Sequence, residues 1–320
     1  MNTFHRWAIA LLITPIASVQ AQGLMTRNEA SLSRFAPLPV VGEGTSPKAG
    51  QSHWGLTLDL TNEFYVEVLA DETAQLDGET LATTLRWRHG LSDRWAVGLD
   101  LPLVDSGRGF LDRWIEDWHE WFGLPNAGRE QFPQDQYRFV LTQNGATVFE
   151  RDRGTTDLGD INLRGSYTLN PQRRVHAQLS LPTGRATALT GGTWGFAGWL
   201  EEDRRFGSAG RWGGFYSLGA TVQQRRGPLA DLQAPYSAFA SAGLDWNLWR
   251  SLSVLGQIYG HTALYRDVAS EIGDPGLQLA LGARWALSPQ WSADLAFQED
   301  LIVNASPDFS LHLGIRFRPR

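Results

Sequence analysis

Residues 277–297, LQLALGARWALSPQWSADLAF, decide the fold, because apolar and polar residues alternate along them. Every second residue of the first half is apolar, whereas Arg284 stands at an intervening position. This period of two is typical of a β-strand with one apolar and one polar face. The short turn 288–290 leads into a second strand of the same kind, and Trp285 and Trp291 flank that turn. The stretch therefore predicts an antiparallel hairpin.

The same alternation recurs from residue 53 to the end of the chain. Several of these segments exceed the five or six residues of an average strand and reach the roughly nine to eleven that cross an outer membrane at a tilt. Short turns alternate with long connections, of which 61–79 and 104–156 are the longest. The pattern predicts an all-β fold, a twelve-stranded up-and-down antiparallel transmembrane barrel of the outer membrane. The predicted strands are 53–60, 81–87, 95–101, 161–169, 175–181, 194–200, 212–222, 236–248, 252–258, 277–287, 291–297 and 309–317.

One face of the predicted strands carries many ionisable residues. Such a face suits the polar lumen of a membrane barrel and is too polar for the core of a soluble sandwich. Because both signs of charge occur, we expect many of these side chains to pair inside the barrel and to narrow its bore. The candidate lumen-lining residues are Asp59, Arg86, Arg88, Asp100, Arg164, Arg284 and Asp294.

The chain has 14 Trp among 320 residues, and many of them stand beside the short turns. Trp87 and Trp95 flank the first turn, and Trp246 and Trp249 border a later one. Aromatic side chains at one end of successive strands form a girdle at a membrane interface. The alternative, Trp as core filler of a soluble sandwich, does not explain why the residues cluster at alternate turns.

Composition and the N-terminus narrow the class of protein further. A net charge of -6 argues against a nucleic-acid partner, and the absence of Cys excludes disulfides and thiolate sites. Arg6, an apolar stretch and small residues up to Ala21 form a signal-peptide pattern over residues 1–21. We expect cleavage near Ala21, an N-terminal segment 22–51 in or under the lumen, and a barrel over 52–320.

The long connection 104–156 contains a different period. Apolar residues recur there every three or four positions with charges on the opposite face, which predicts an amphipathic helix at about 108–123 in an external loop. Its apolar face needs a cover, either across the barrel mouth as a lid or in the interface of the outer leaflet. The candidate lid residues are Trp114, Trp118 and His119.

The sequence contains no recognised catalytic signature. It has no Gly-rich phosphate loop, no His-Glu-x-x-His and no Gly-x-Ser-x-Gly. Ser310 and His312 share one face of the last predicted strand, but that face points into the lumen, away from lipid. We therefore predict that the protein is not an enzyme and has no catalytic residue, metal site or cofactor.

Four stretches of the chain resemble a known family. They are LMTRN at 24–28, the stretch 109–125 that begins GFLD and ends FGLP, DLGD at 157–160 and LPTG at 181–184. Together they are similar to the proteobacterial family known as domain of unknown function 3187, over nearly the whole mature chain. The two short motifs also resemble outer-membrane proteins of phenol-degradation operons, which are proposed transport channels. The resemblance implies an outer-membrane barrel of a Gram-negative bacterium.

These observations favour a narrow outer-membrane channel or transporter for a small solute, with an apolar compound as a candidate. The expected partners are outer-membrane lipids including lipopolysaccharide, the solute, and the outer-membrane assembly machinery, whose signal the stretch 310–317 of the last strand resembles. Two alternatives remain open. One is a non-conducting structural barrel that interacts with the cell envelope. The other is a lipid-modifying enzyme, which would need an outward-facing triad that the sequence does not show.

Overall fold

The computed structural model describes residues 21–123, 126, 128–207, 210–227, 229–302 and 306–319. The predicted signal peptide, apart from Ala21, lies outside these residues. One α-helix and fifteen strands follow in chain order within the described chain. The helix is α1 (Asp112–Phe122), and the strands are β1 (Ser52–Val68), β2 (Glu72–Gly90), β3 (Trp95–Gly107), β4 (Arg138–Gln143), β5 (Ala146–Arg151), β6 (Thr155–Leu158), β7 (Ile161–Thr168), β8 (Arg173–Leu181), β9 (Gly195–Phe206), β10 (Trp212–Gln223), β11 (Tyr236–Trp249), β12 (Leu252–His261), β13 (Gly276–Ala286), β14 (Trp291–Ile302) and β15 (Phe309–Phe317).

Twelve of the strands form a closed antiparallel barrel, as the alternation predicts. Neighbours in the chain pair with each other around the ring, and β1 closes it on β15 with Trp54 opposite Phe317. The other three strands belong to the long connection. β4 and β5 form a hairpin beside the outer part of β2, and β6 pairs with the outer end of β3 just before β7 begins.

The connection 61–79, predicted as an external loop, is instead part of a long hairpin. β1 and β2 pair without interruption from Ser52 to Val68, well past Asn62, which lies opposite Phe309, the first residue of β15. The alternation did not predict this extension, because polar residues such as Glu63 and Glu67 interrupt it. The interruption is tolerated because the extension lies beyond the barrel and no longer separates lipid from lumen. The β4–β5 hairpin pairs with this extension.

Side chains alternate across the barrel wall as the period of two requires. The wall has a short-turn end, at the turns 91–94, 169–172, 207–211, 250–251 and 287–290, and an opposite long-loop end. Outward positions carry exposed apolar side chains, among them Leu56, Leu85, Leu163, Leu200, Leu218, Leu244, Ile258, Leu281, Leu295 and Leu313.

Aromatic rings pair around the short-turn end. Trp212 stacks on Trp246 with 5.5 Å between ring centroids, and Trp291 lies 4.7 Å from Phe317. Trp95 similarly contacts Tyr167 at 4.7 Å. These rings point outward at one level, which is the arrangement of an interfacial girdle.

Helix α1 lies outside the barrel and does not cover its mouth. Trp114 packs 5.1 Å from the ring of Phe309, and Trp118 packs 6.3 Å from Phe297. Both partners are outward-facing side chains of the barrel wall, so the lid assigned to Trp114 and Trp118 is wrong. His119 contacts Asn126 within the same connection and does not reach the lumen either. The helix ends at Gly123, whose φ of 67° is the left-handed conformation that favours glycine.

Within the described chain, α1 is also too short to span a bilayer, and no other helix reaches the necessary length and hydropathy.

Candidate functional site

The lumen is occupied by the N-terminal segment, which runs up from the short-turn end and back down to it. In chain order, it runs from Gly23 near the short-turn end to a short 3-10 helix, Leu32–Phe35, near the long-loop end. It then returns to the rim at the short-turn end, where Ala49 bridges to Gly90. The two limbs contact each other where the N–H of Gly23 donates to the carbonyl of Gly42 at 2.8 Å.

Side chains of the wall hold this segment chiefly by its backbone carbonyls. Arg164 donates to the carbonyl of Val40 at 3.0 Å, Gln178 to that of Pro37 at 3.3 Å, and Tyr259 to that of Pro39 at 3.2 Å. The segment contains three prolines, Pro37, Pro39 and Pro47, which have no N–H to donate and do not fit into a helix or a central strand. Carbonyl groups near them therefore lack helix or sheet partners. The wall therefore satisfies backbone groups that would otherwise be buried without a hydrogen bond.

A ring of alternating charges links the segment to one side of the wall. Arg88 lies 2.6 Å from Asp100 and 2.6 Å from Glu43 of the segment. Arg164 lies 3.0 Å from Asp100 and 3.2 Å from the same Glu43. The two cations and two anions are neutral together, which reduces the free-energy cost of burying each of them.

A second ionic group lies near the short-turn end, on β13, β14 and β15. Asp294 lies between Arg284 at 2.5 Å and Arg316 at 2.7 Å. Both guanidinium groups also donate to carbonyls of the segment, Arg284 to Gln22 at 3.0 Å and to Gly23 at 2.7 Å. The end of the segment is thus anchored by charge-assisted hydrogen bonds, which are stronger than neutral ones.

The remaining predicted lumen residues are also buried inside the barrel. Asp59 lies 2.6 Å from Nδ1 of His312, and Arg86 donates to Thr57 at 2.6 Å. All seven predicted lumen residues therefore lie inside the barrel, engaged with one another, with the N-terminal segment or with neighbouring wall residues. None of the described residues form a cluster of three or more His, Asp or Glu that could hold a metal ion.

Toward the long-loop end, the lumen contains an apolar cluster. Phe239 stacks on Tyr259 with 6.2 Å between centroids, and Trp199 meets Phe239 edge-on at 6.3 Å. Phe35 and Leu38 of the segment pack into the same cluster. Residues of the external connections complete it, including Phe139, Leu141, Phe149, Leu189, Leu229, Leu264 and Tyr265.

Small cavities lie beside the segment. Four cavities that it lines measure ≈20, ≈30, ≈30 and ≈40 Å³. A water molecule needs about 10–15 Å³ by this measure, so each cavity holds a few waters at most. None of these four cavities is large enough for an organic solute.

The comparisons with known proteins agree with this architecture. A family model described as "Protein of unknown function (DUF3187)" matches residues 14–319. The chain belongs to this family. The resemblance seen in the sequence is thereby confirmed. No curated protein matches the chain.

Several solved structures resemble this DUF3187 protein in fold. The COG4313 outer membrane channel from Pseudomonas putida F1 is 13% identical, with a TM-score of 0.54 over 89% of this chain and 98% of its own. The CymD monoaromatic hydrocarbon channel is 11% identical, with a TM-score of 0.41 over 85% of this chain and 89% of its own. The toluene transporter TbuX of Ralstonia pickettii is 10% identical, with a TM-score of 0.41 over 96% and 98%. At 13% identity, the first likeness establishes a shared fold.

The inward aromatic residues of this DUF3187 protein were not among the predicted site residues. Phe239 and Tyr259 occupy the same face of their strands as Ser241 and Gln257, so the period of two places them inward. The prediction considered only charged residues on that face. Glu43 was also missed, because a carboxylate in an aperiodic segment gives no sign of which strand it will meet.

A buried polar group, here called the external anchor, fastens the long connection to the barrel rim. It consists of Asn62, Glu79, Asp112, Arg129 and Asp308. Arg129 lies 2.5 Å from both carboxylates, Asp112 and Asp308, and donates to Asn62 at 3.0 Å. Glu79 accepts the N–H groups of 110 and 111 at 2.9 and 2.6 Å, just before α1 begins.

The external anchor should loosen as the pH rises, because of a buried carboxyl beside it. Asp77 lies outside the barrel wall, and burial raises its pKa to about 7, with the negative charge of Asp112 adding to the shift. Between about pH 3.9, the pKa of Asp in an unfolded chain, and about pH 7, Asp77 is protonated in the attached state and ionised in the detached state. Attachment is strongest at the acid end of this window and weakens as the pH rises through it, by on the order of 2 kcal/mol between pH 5.5 and 8.

Hydrogen exchange of the amides of 110–122 measures this attachment. Exchange in the wild type should be faster at pH 8 than at pH 5.5 after correction for the intrinsic rate. Asp77→Asn should remove most of the difference, leaving a smaller part from Asp308, whose pKa burial raises to about 6. Asp105→Asn, at an exposed carboxylate of β3, is the control. The prediction is wrong if Asp77→Asn and Asp105→Asn behave alike.

Proposed function

We propose that this protein is a narrow channel in the outer membrane of a Gram-negative bacterium that passes a small apolar solute. The observation that carries the proposal is the apolar cluster inside the lumen, built by Trp199, Phe239 and Tyr259 together with the external connections. Ligand sites for small molecules are mostly apolar and lined by aromatic side chains. The fold shared with an outer membrane channel supports the same reading.

The membrane location is supported by the outer surface of the barrel. A band of exposed leucines surrounds the wall, and a girdle of paired aromatic rings borders it at the short-turn end. Such a surface is costly in water and favourable in lipid. Under this proposal, the short-turn end faces the periplasm, lipopolysaccharide surrounds the long-loop end, and the assembly machinery recognises β15.

The ionic contacts between the wall and the N-terminal segment provide a reversible closure. Each charged contact to the N-terminal segment can be replaced by water when the segment moves toward the periplasm, whereas the barrel wall keeps its own hydrogen bonds. A solute from outside would first pass the external connections that complete the apolar cluster and would then meet Phe35 and Leu38 of the segment. Displacement of the segment then opens the route between the charged side chains.

Entry of a monoaromatic hydrocarbon into proteoliposomes tests the proposal. The wild type should accelerate entry of this probe over protein-free vesicles. Phe239→Asp should lower that rate by roughly tenfold, because an unpaired charge in the apolar cluster favours water over an apolar solute. Phe239→Leu is the matched control and should retain most of the rate. Heat-modifiable migration in gels verifies that each variant forms a barrel.

The structural-barrel alternative makes a different forecast for the same assay. It requires that neither the wild type nor a variant lacking the N-terminal segment admits any probe, apolar or polar. Equal entry of the hydrocarbon with Phe239→Asp and Phe239→Leu would instead contradict the apolar route while leaving a pore in place.

A further inference from the structure

A charged cluster lies on the outer surface of the barrel, where lipid is expected. Arg173 of β8, Glu202 of β9 and Tyr216 of β10 stand opposite one another in adjacent strands. They point outward, as do the exposed Leu200 and Leu218 on the same strands.

The carboxylate of this cluster is covered, whereas its cations are not. Glu202 accepts from Arg173 at 2.5 Å, from Tyr216 at 2.7 Å and from Arg204 at 2.6 Å. The side chain of Glu202 is only 5% exposed, but those of Arg173 and Arg204 are 48% and 63% exposed. Two guanidinium groups face one carboxylate, so the cluster has a net positive charge and unused N–H donors.

The height of the cluster in the wall decides which partner it can meet. It lies near the short-turn end, four residues along β10 from Trp212 of the aromatic girdle. A cation on the lipid face costs about 2–4 kcal/mol at the midplane and little near the interface. At this height the guanidinium groups reach the headgroups of the periplasmic leaflet, where phosphate is the abundant anion.

An apolar groove begins at the cluster and runs toward the middle of the wall. Its volume is ≈770 Å³, and Glu202, Arg204 and Tyr216 line one end of it. Gly214, Ala242 and Gly256 form a shallow floor, and larger apolar side chains form its sides, including Phe206, Leu244, Ile258 and Leu279. The groove is wide enough for a hydrocarbon chain that continues from a headgroup held at the cluster.

We propose that the cluster and the groove together bind one anionic phospholipid of the periplasmic leaflet. Arg173 and Arg204 hold its phosphate, for which guanidinium groups are well suited, and an acyl chain lies over Gly214 and Ala242. A second copy of the chain is the less suitable occupant, because two copies facing each other here would bring clusters of like net charge together. The site rests on the membrane location proposed above and is independent of any transported solute.

Native mass spectrometry of the mature protein in a non-ionic detergent tests the site with phosphatidylglycerol as the probe. The wild type should retain one phosphatidylglycerol more strongly than one phosphatidylcholine. Arg173→Gln with Arg204→Gln should weaken retention by roughly tenfold or more. Arg211→Gln with Arg250→Gln removes two exposed arginines from other short turns and should leave retention unchanged.

Filling the groove provides a second, independent variant. Ala242→Leu should weaken retention of a long-chain phosphatidylglycerol and spare a short-chain analogue that uses the headgroup contacts alone. Equal retention in the wild type and the Arg173/Arg204 double variant would overturn the proposal. Dimer ions that Ala242→Leu abolishes would also overturn it, since they would assign the groove to a second copy.

Flotation with liposomes separates this proposal from the proposed function. A refolded barrel that does not float with vesicles would refute the membrane location itself. A barrel that floats and shows no preference for phosphatidylglycerol would refute only the lipid site.

Discussion

Deletion of residues 22–47 is expected to raise the conductance of the reconstituted barrel by roughly an order of magnitude. Eight strands enclose a space that side chains alone fill, whereas sixteen or more leave an aqueous channel. The twelve-stranded ring described here lies between these cases, and the N-terminal segment takes up its interior. Without the segment, Arg88, Arg164 and Arg284 lose partners and become hydrated lining. Planar-bilayer recording before and after the deletion measures the change.

A single substitution can test the same point without removing a segment. A Cβ at Gly23 would lie 2.5 Å from the ring of Phe215 and 2.5 Å from the amide oxygen of Gln257. Gly23→Leu should therefore displace this end of the segment and raise the frequency of open events. Gly165→Leu is the matched control, because no heavy atom lies within 4 Å of a Cβ at Gly165. Unchanged conductance in the folded deletion variant would contradict the assignment of the block to the segment.

The second large effect is expected at the centre of the external anchor. Arg129→Gln leaves Asp112 and Asp308 buried without their cation, and breaking a buried ion pair in this way costs about 3–5 kcal/mol. The side chain of Arg129 is 3% exposed, so water does not screen the loss. Detachment of the long connection should become roughly a hundredfold more frequent. Proteolysis of folded barrels within 104–156 measures the frequency of detachment.

Arg138 offers a matched control for this experiment within the same connection. It pairs with Glu150 across the β4–β5 hairpin, but the two side chains are 42% and 50% exposed. Exposed pairs of this kind contribute about 0–1 kcal/mol, so Arg138→Gln should change the cleavage rate only slightly. Similar rates for the two variants would show that Arg129 does not hold the connection in place.

The barrel was predictable because its wall separates two solvents. Apolar residues such as Leu279 and Leu281 must face one side, and polar residues such as Gln278 the other, over the full length of every strand. This requirement produces a period of two in the sequence, from which the strand boundaries can be predicted. Beyond the rim the requirement no longer applies, so the alternation did not predict that β1 and β2 continue there.

The β4–β5 hairpin did carry a recognisable signal. Asn144 and Gly145 have φ angles of 50° and 74°, and residues 143 and 146 pair across them. Asn-Gly is the residue pair that such a two-residue turn prefers, since both positions need a positive φ. The turn could have been predicted from these two residues. The strands beside it are short, with mixed burial, and give little periodicity of their own.

The contents of the lumen could be predicted only in part. The charged residues of the wall were assigned to the lumen from their positions in the alternation. Their partners in the segment were not predicted, because the segment that contains Val40 and Glu43 has no periodic pattern. The apolar face of α1 was predicted as well. Its location was not, because Phe297 and Phe309, which receive it, are outward apolar residues like many others on the wall.

The closed ladder around the N-terminal segment restricts the way in which the segment can leave. With every barrel strand hydrogen-bonded on both sides, the wall has no seam through which a peptide could slip sideways. Ala49 is bridged to Gly90 at the rim, so the rest of the segment can move only along the barrel axis while this end stays in place. An axial pull from the short-turn end would therefore break the ionic contacts of the segment one after another.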